Sequence, residues 1–206
     1  MSKNIRLFTN LIYEASAVAK LKRTGWQIFG DNDEGVGEHT FMTSVIAYFL
    51  AKEISKGLSL RPARRDLIKP VNMEIVLTMA VFHDFHEART GDLDKIATFY
   101  MTRDQDKANK DIFKEVDREL LVLLEEYEKK QLLEARIVYE ANVIAFLVEL
   151  KRLEEKGNVH AREWIEGNLV RLRLPEAIEL AKDLASTDSH DWWKHIRKTL
   201  HEEFSK

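Results

Sequence analysis

Two apolar stripes in this chain carry metal-binding residue types at their ends. His39 leads the stripe of Met42, Ile46, Phe49 and Leu50, and His83 with Asp84 closes the stripe of Val76, Met79 and Ala80. Helical stripes of this kind face an interior. The spacing therefore turns two imidazoles and a carboxylate toward a core. An ionised carboxylate buried without a partner is costly, and a divalent cation is the most economical shared partner for His, His and Asp. A His–Asp dipeptide taken alone is more often a hydrogen-bonded core pair, so that alternative stands beside the metal site.

Further candidates surround these three. Glu87 follows His83 by four residues and shares its side if the helix continues, where a water-orienting base would sit. The alternative for Glu87 is a solvated carboxylate at a helix end, and for Asp92 a turn or capping residue. Arg23 offers a planar cationic fork suited to phosphate, and Trp26 a face for a sugar or base. A helix-terminal cation and a core tryptophan are the plainer readings. Asn142 has Val138, Ala145 and Phe146 as its helical neighbours, so it is a polar group on an apolar face and needs a partner there. Glu149 is either a compensating carboxylate near Asn142 or an ordinary helix-face residue. His86 is expected to face another side, about 100° from Glu87 on a continuous helix. Trp192 and Trp193 cannot share one face, so one is expected to be exposed.

The elements that must position these residues are helical. Only eight glycines and three prolines occur in 206 residues, against a usual combined share of roughly 12%. Turn-rich sandwiches and barrels are thereby disfavoured. The length suits one domain, 1–206. Apolar spacing predicts helices over 5–21, from His39 to about Lys56, over 73–87 with a stop at Gly91, over 105–130, over 132–155 and over 175–184, followed by a Trp-rich tail. Gly57 to Asn72, with Pro62 and Pro70, reads as a long connection. The balance of 32 basic against 35 acidic residues gives a net charge of −3. It offers no reason to expect nucleic acid or a polybasic membrane surface as partner. With no cysteine, disulfides, thiolate zinc sites and cysteine nucleophiles are excluded. Neither a signal peptide nor a long apolar span is evident, so a cytoplasmic location is expected.

The string Glu34-Gly35-Val36-Gly37-Glu38-His39, then His83-Asp84-Phe85-His86-Glu87 and Thr90-Gly91-Asp92, resembles the HD-domain metal-dependent phosphohydrolases. Within them it is most similar to the 5′-deoxynucleotidase branch, which Leu21-Lys22-Arg23-Thr24-Gly25-Trp26 also resembles. The resemblance implies an all-α helical bundle with one divalent ion (manganese, cobalt, magnesium or zinc) on His39, His83 and Asp84. It places the fourth ligand at Asn142, where the family has an Asp. An amide oxygen can ligate but brings no charge, so weaker metal binding is expected. The resemblance further implies catalytic roles for Glu87 and Asp92, substrate contacts for Arg23 and Trp26, and a homodimer. The acidic residues Glu34 and Glu38 would support the ligands, with Glu38 orienting His39. The implied substrate is a (deoxy)nucleoside 5′-monophosphate, cleaved to nucleoside and phosphate. A nucleotide-binding protein that has lost turnover and an HD phosphodiesterase are the alternatives.

Overall fold

Scarce turn residues and long apolar stripes produce ten α-helices and no strand among the described residues of the computed structural model, which are 3–30, 34–59 and 70–204. They are α1 (Lys3–Val18), α2 (Val36–Ser59), α3 (Met73–Phe82), α4 (Glu87–Thr90), α5 (Gln105–Phe113), α6 (Arg118–Lys129), α7 (Leu133–Glu155), α8 (Ala161–Leu169), α9 (Pro175–Ser186) and α10 (Lys194–Phe204). The all-α expectation is met.

Helix α7 is the axis of the bundle. Its Ile137, Val138, Ala141, Ile144, Leu147 and Leu150 are almost fully buried, and α2, α3, α8 and α9 pack around it. Helix α2 contributes Ala47, Leu50, Ala51 and Ile54 to the same core, and α3 adds Val76, Met79 and Ala80. Burying one such leucine or isoleucine stabilises by about 1.5–3 kcal/mol relative to exposure. The core thus holds the helices that carry His39, His83 and Asn142. Phe85, Ile112, Phe113, Leu120 and Leu124 form a smaller cluster beneath the following turns.

Several boundaries differ from those read in sequence. Helix α3 starts where expected, with the Asn72 side chain accepting from the backbone N–H groups of Glu74 and Ile75. It ends at Phe82, and residues 83–86 form turns before α4. The expected single helix over 105–130 is two helices, because the Asp117 carboxylate caps a new N-terminus by accepting from the Leu120 N–H at 3.0 Å. Helix α8, for which the apolar spacing predicts nothing, buries only Ala161, Ile165 and Asn168. The Trp-rich tail is a short 3₁₀ turn over Asp191–Trp193 followed by α10, none of whose residues is buried. Trp192 is exposed and Trp193 half-buried, as their adjacency requires. Most of the Gly57 to Asn72 connection lies outside the described residues, and α2 runs to Ser59.

Candidate metal centre and its cavity

Gly37 lets α2 begin against the end of α1. A Cβ at that position would stand 2.8 Å from the Ala19 carbonyl oxygen and 2.9 Å from its Cα, both backbone atoms that cannot yield cheaply. The close approach sets His39 one turn into α2, fully buried. Glu38 accepts from the Gly35 N–H at 2.7 Å and so closes the N-terminus of α2. It is Glu34, rather than the expected Glu38, that stands beside His39, with Oε1 3.6 Å from His39 Nδ1. Glu38 spends its carboxylate on the helix terminus three residues back and cannot reach the ring.

His83, Asp84 and His39 converge. One ligand atom from each can be chosen so that all three lie within 4.8 Å of one another. His83 Nε2 is 3.0 Å and His39 Nε2 4.0 Å from Asp84 Oδ2. Asn142 joins them across the bundle, its Oδ1 3.1 Å from His39 Nε2 and its amide N–H donated to the buried Tyr127 hydroxyl at 3.3 Å. The polar group on the apolar face of α7 thus has the two partners it needs.

The donor set fits a divalent metal ion. His83 Nδ1 faces the Ala80 carbonyl oxygen at 2.9 Å, which fixes the ring with its N–H there and leaves Nε2 free as a ligand. That Nε2 is buried with no hydrogen-bond partner of proper geometry, although an acceptor oxygen of Asp84 lies 3.0 Å away. Two lone pairs this close require a cation or a proton between them. The ionisation of Asp84 and His39 agrees with a cation, whereas His83 without one is drawn toward a proton by Asp84. Burial opposes the charge of Asp84, but His83, His39 and Arg23 outweigh it and hold its carboxyl well below the usual range. Burial also opposes protonation of His83, yet the Asp84 charge raises its pKa. His39 is pushed down by burial and by Arg23, against Glu34 and Asp84, and so is neutral, the form a ligand needs.

Arg23 and Trp26 stand on the 3₁₀ turn and its N-cap ahead of α2. Arg23 Nη1 donates to Glu34 Oε2 at 2.7 Å and lies 3.2 Å from His39 Nδ1. Its guanidinium stacks between the rings of Trp26 and Phe146, at 5.8 and 5.6 Å from their centroids. Trp26 is buried and gives its indole N–H to the same Glu34 oxygen at 2.6 Å. Glu34 therefore ties Arg23, Trp26 and His39 together. Burial resists its charge, but His39 and Arg23 lower its pKa.

A cavity of about 280 Å³ opens on this cluster, lined among others by Arg23, Trp26, Asp84, Glu87, Asp92 and Asn142. Six of the candidates thus line one cavity, and His39 and His83 stand against its Asp84. Gly91, at φ +71° and ψ 163°, makes the turn after α4 that delivers Asp92. Asp92 Oδ2 accepts from both the Thr24 N–H and its hydroxyl, which holds the Arg23–Trp26 turn across the cavity. Glu87 is buried, and Arg103 Nη1 donates to its Oε1 at 2.9 Å. Burial, then Asp84 and Asp92, push its pKa up to about 9 despite Arg103.

His86 corrects the sequence reading. It lines the cavity beside Glu87, buried, with neither ring nitrogen hydrogen-bonded. The chain between Phe82 and Glu87 is turn rather than helix, so the 100° rule does not govern it. Burial and the nearby Arg103 lower its pKa to about 4, leaving it neutral. Arg103 and Tyr127 are the functional-site residues that sequence reading missed. Arg103 sits in a loop without periodicity, and Tyr127 looks like any apolar residue of the α6 stripe. Glu149, two turns beyond Asn142, accepts from Arg152 at 3.0 Å, an ordinary helix-face pair.

The sequence matches the HD domain family over residues 16–172, and the chain belongs to that family. A conserved hypothetical protein from Pyrococcus furiosus has a similar structure, with a TM-score of 0.68 and 24% identity over 87% of this chain and 99% of that one. A protein from Pyrococcus horikoshii OT3 aligns with a TM-score of 0.67 and 27% identity, over 86% and 98% of the two chains. A protein of Magnetospirillum magnetotacticum MS-1, named a predicted metal-dependent phosphohydrolase, shares the fold at a TM-score of 0.62 and 18% identity, over 88% and 90%. No curated protein matches the chain.

Proposed function

We propose that this HD-domain protein is a metal-dependent phosphohydrolase that cleaves (deoxy)nucleoside 5′-monophosphates to nucleoside and phosphate. The observation that carries the reading is the convergence of His39, His83 and Asp84 within 4.8 Å, with His83 Nε2 buried and facing the Asp84 carboxylate at 3.0 Å. The name of the Magnetospirillum protein of the same fold agrees with it. His39, His83, Asp84 and Asn142 would hold the ion, which supplies Lewis-acid charge for a phosphate ester.

The chain's own residues account for the rest. Arg23 lines the cavity with a permanent charge and gives the phosphate a planar donor, braced by Glu34 and two aromatic rings. Phe146, Trp164 and Trp26 offer apolar faces to a sugar or base on the same side. Water adds to phosphorus, the P–O bond to the sugar breaks, and the leaving oxygen takes a proton. Glu87, which holds a proton far above the usual carboxylate range, is suited to give it. Asp92 positions the Arg23–Trp26 turn. The protein acts as a homodimer in the cytoplasm. Asn142 favours a second reading, a nucleotide-binding protein with weak or no turnover, because an amide replaces a charged ligand.

Phosphate release from matched deoxy- and ribonucleoside 5′-monophosphates, with manganese, cobalt, magnesium or zinc, tests both readings. Turnover that prefers deoxynucleotides supports the first. Turnover only after Asn142→Asp supports the second, and silence of both proteins with every metal overturns the nucleotidase assignment.

A further inference from the structure

The cavity has a second wing that the reaction above does not use. Tyr139, Asn142, Val143 and Phe146 share the face of α7 that lines the cavity. At a rise of 1.5 Å per residue, Tyr139 lies about 4.5 Å to one side of Asn142 along the helix and Phe146 about 6 Å to the other. The Phe146 side is aromatic, with Trp26 4.9 Å and Trp164 6.4 Å away between ring centroids.

The Tyr139 side is cationic. Arg171 donates Nε–H and Nη2–H to the Tyr139 hydroxyl at 3.3 and 3.0 Å, and Nη1–H to Asn168 at 2.6 Å. Lys130 Nζ stands 4.8 Å from the centroid of the same tyrosine ring. Lys130 caps α6 at φ 52°, a left-handed position where glycine or asparagine is the low-strain residue. Lys95 completes the group at the rim. Partial burial and then the Arg171 charge hold its ammonium below the ordinary value, with lesser help from Arg103 and Lys130 and against the pull of Tyr139.

The acids of this wing are engaged elsewhere. Glu87 is paired with Arg103, Glu128 accepts from Gln105 at 2.7 Å, and Asp94 caps the N–H groups of Ile96 and Ala97. Lys95, Lys130 and Arg171 have no carboxylate partner among the described residues. Asp94 and Glu128 keep their charges on neutral donors and offset the three cations only in part, so an anion entering between Lys95, Lys130 and Arg171 is still favoured.

We propose that Lys95, Lys130 and Arg171 form a subsite for a second phosphate group, so that the cavity that takes nucleoside 5′-monophosphates binds nucleotides with two phosphate groups more tightly. The assignment rests on the phosphohydrolase reading for its first phosphate. The second phosphate either extends from the first, as in a nucleoside 5′-diphosphate, or sits on the sugar, as in a nucleoside 3′,5′-bisphosphate.

The test compares deoxyadenosine 5′-monophosphate, 5′-diphosphate and 3′,5′-bisphosphate. Affinities are measured by calorimetry on metal-free protein and KM values on manganese-loaded protein, for the wild type and for the Lys95→Gln, Lys130→Gln double variant. At least one two-phosphate nucleotide is expected to bind tenfold or more tightly than the monophosphate, and the double variant to lose most of that advantage. Which of the two wins identifies the attachment. Equal affinity for one- and two-phosphate nucleotides, or an advantage that survives the double variant, would overturn the subsite. No turnover with a retained binding advantage would sink the hydrolase reading and leave the subsite standing. Should the double variant fail to fold, Lys95→Gln alone is expected to remove part of the advantage, since Lys95 lies at the rim and outside the core.

Discussion

At the scale of single residues, the site is built around tautomers as much as positions. His83 is committed by the Ala80 carbonyl oxygen, so its Nε2 is a ready ligand. His39 is poised between two states. When its Nδ1 accepts from Arg23, its Nε2–H points to Asn142 Oδ1. When Nδ1–H turns to Glu34 instead, Nε2 is freed for a metal. Asn142 accepts well from an N–H and supplies no negative charge, which favours the first state. Asn142→Asp is therefore expected to raise manganese affinity at least tenfold, about 1.4 kcal/mol or more, as read by calorimetry; unchanged affinity would remove Asn142 from the ligand set. Glu87 gives a pH signature. Its folded pKa is raised above the unfolded value near 4.5, so its proton-linked stabilisation is complete below that value and is lost as pH rises toward 9. Urea unfolding of metal-free protein should show the wild type losing stability relative to Glu87→Gln between pH 5 and 9, and parallel curves would contradict the raised pKa. Types and spacing alone pointed to His39, His83 and Asp84 and to Asn142 as a polar group on an apolar face, whereas Arg23, Trp26, Glu87 and Asp92, which line the same cavity, were singled out through the family resemblance. What periodicity could not supply was the turn at 83–86, which aims His86 inward, and the choice of Glu34 over Glu38, which depends on a hydrogen bond to the Gly35 N–H.

At the scale of elements, two small devices fix where the ligands stand. The contact of Gly37 with Ala19 brings α2 against the end of α1, and the buried Glu140 accepts from the N–H groups of Arg173 and Leu174, which anchors the chain entering α9 to α7. Gly37→Ala places a methyl group against backbone atoms and is expected to cost about 1–3 kcal/mol, the usual range for overpacking. Urea denaturation measures this, and a loss within 0.5 kcal/mol would show that the α1–α2 junction can yield. Helices α2, α3 and α7 were legible because each carries long apolar content that the core buries, α7 on most of its sides. The split between α5 and α6 was not, because the apolar stripe runs on through residues 114–116 and only the Asp117 cap marks the break. Helices α8 and α10 were missed for another reason. The first is short, with a few buried residues, and the second buries nothing, so neither leaves a stripe to read.

At the scale of the whole molecule, α2 has two working faces. Its inward face carries His39, Thr43, Ile46 and Leu50 into the core. Two residues on from His39 a helix has turned about 200°, and the outer face presents Phe41, Val45 and Phe49 at four-residue spacing, so Phe49 leaves the interior stripe on which its spacing from His39 placed it. The two phenylalanines are 67% and 60% exposed. Fully burying such a side chain is worth about 1.5–3 kcal/mol, so a stripe of this kind is a strong contributor to an interface with a second copy. The proposed homodimer is expected to use it. Sedimentation should then give twice the 24.0 kDa chain mass for the wild type, and a Phe41→Glu, Phe49→Glu variant should sediment as a monomer. Because the stripe lies on the far side of α2 from His39, that variant should keep its manganese affinity within about twofold. A monomeric wild type would end the dimer assignment, and a monomeric variant that also loses metal would mean the two faces of α2 are mechanically coupled through the core it shares with α7.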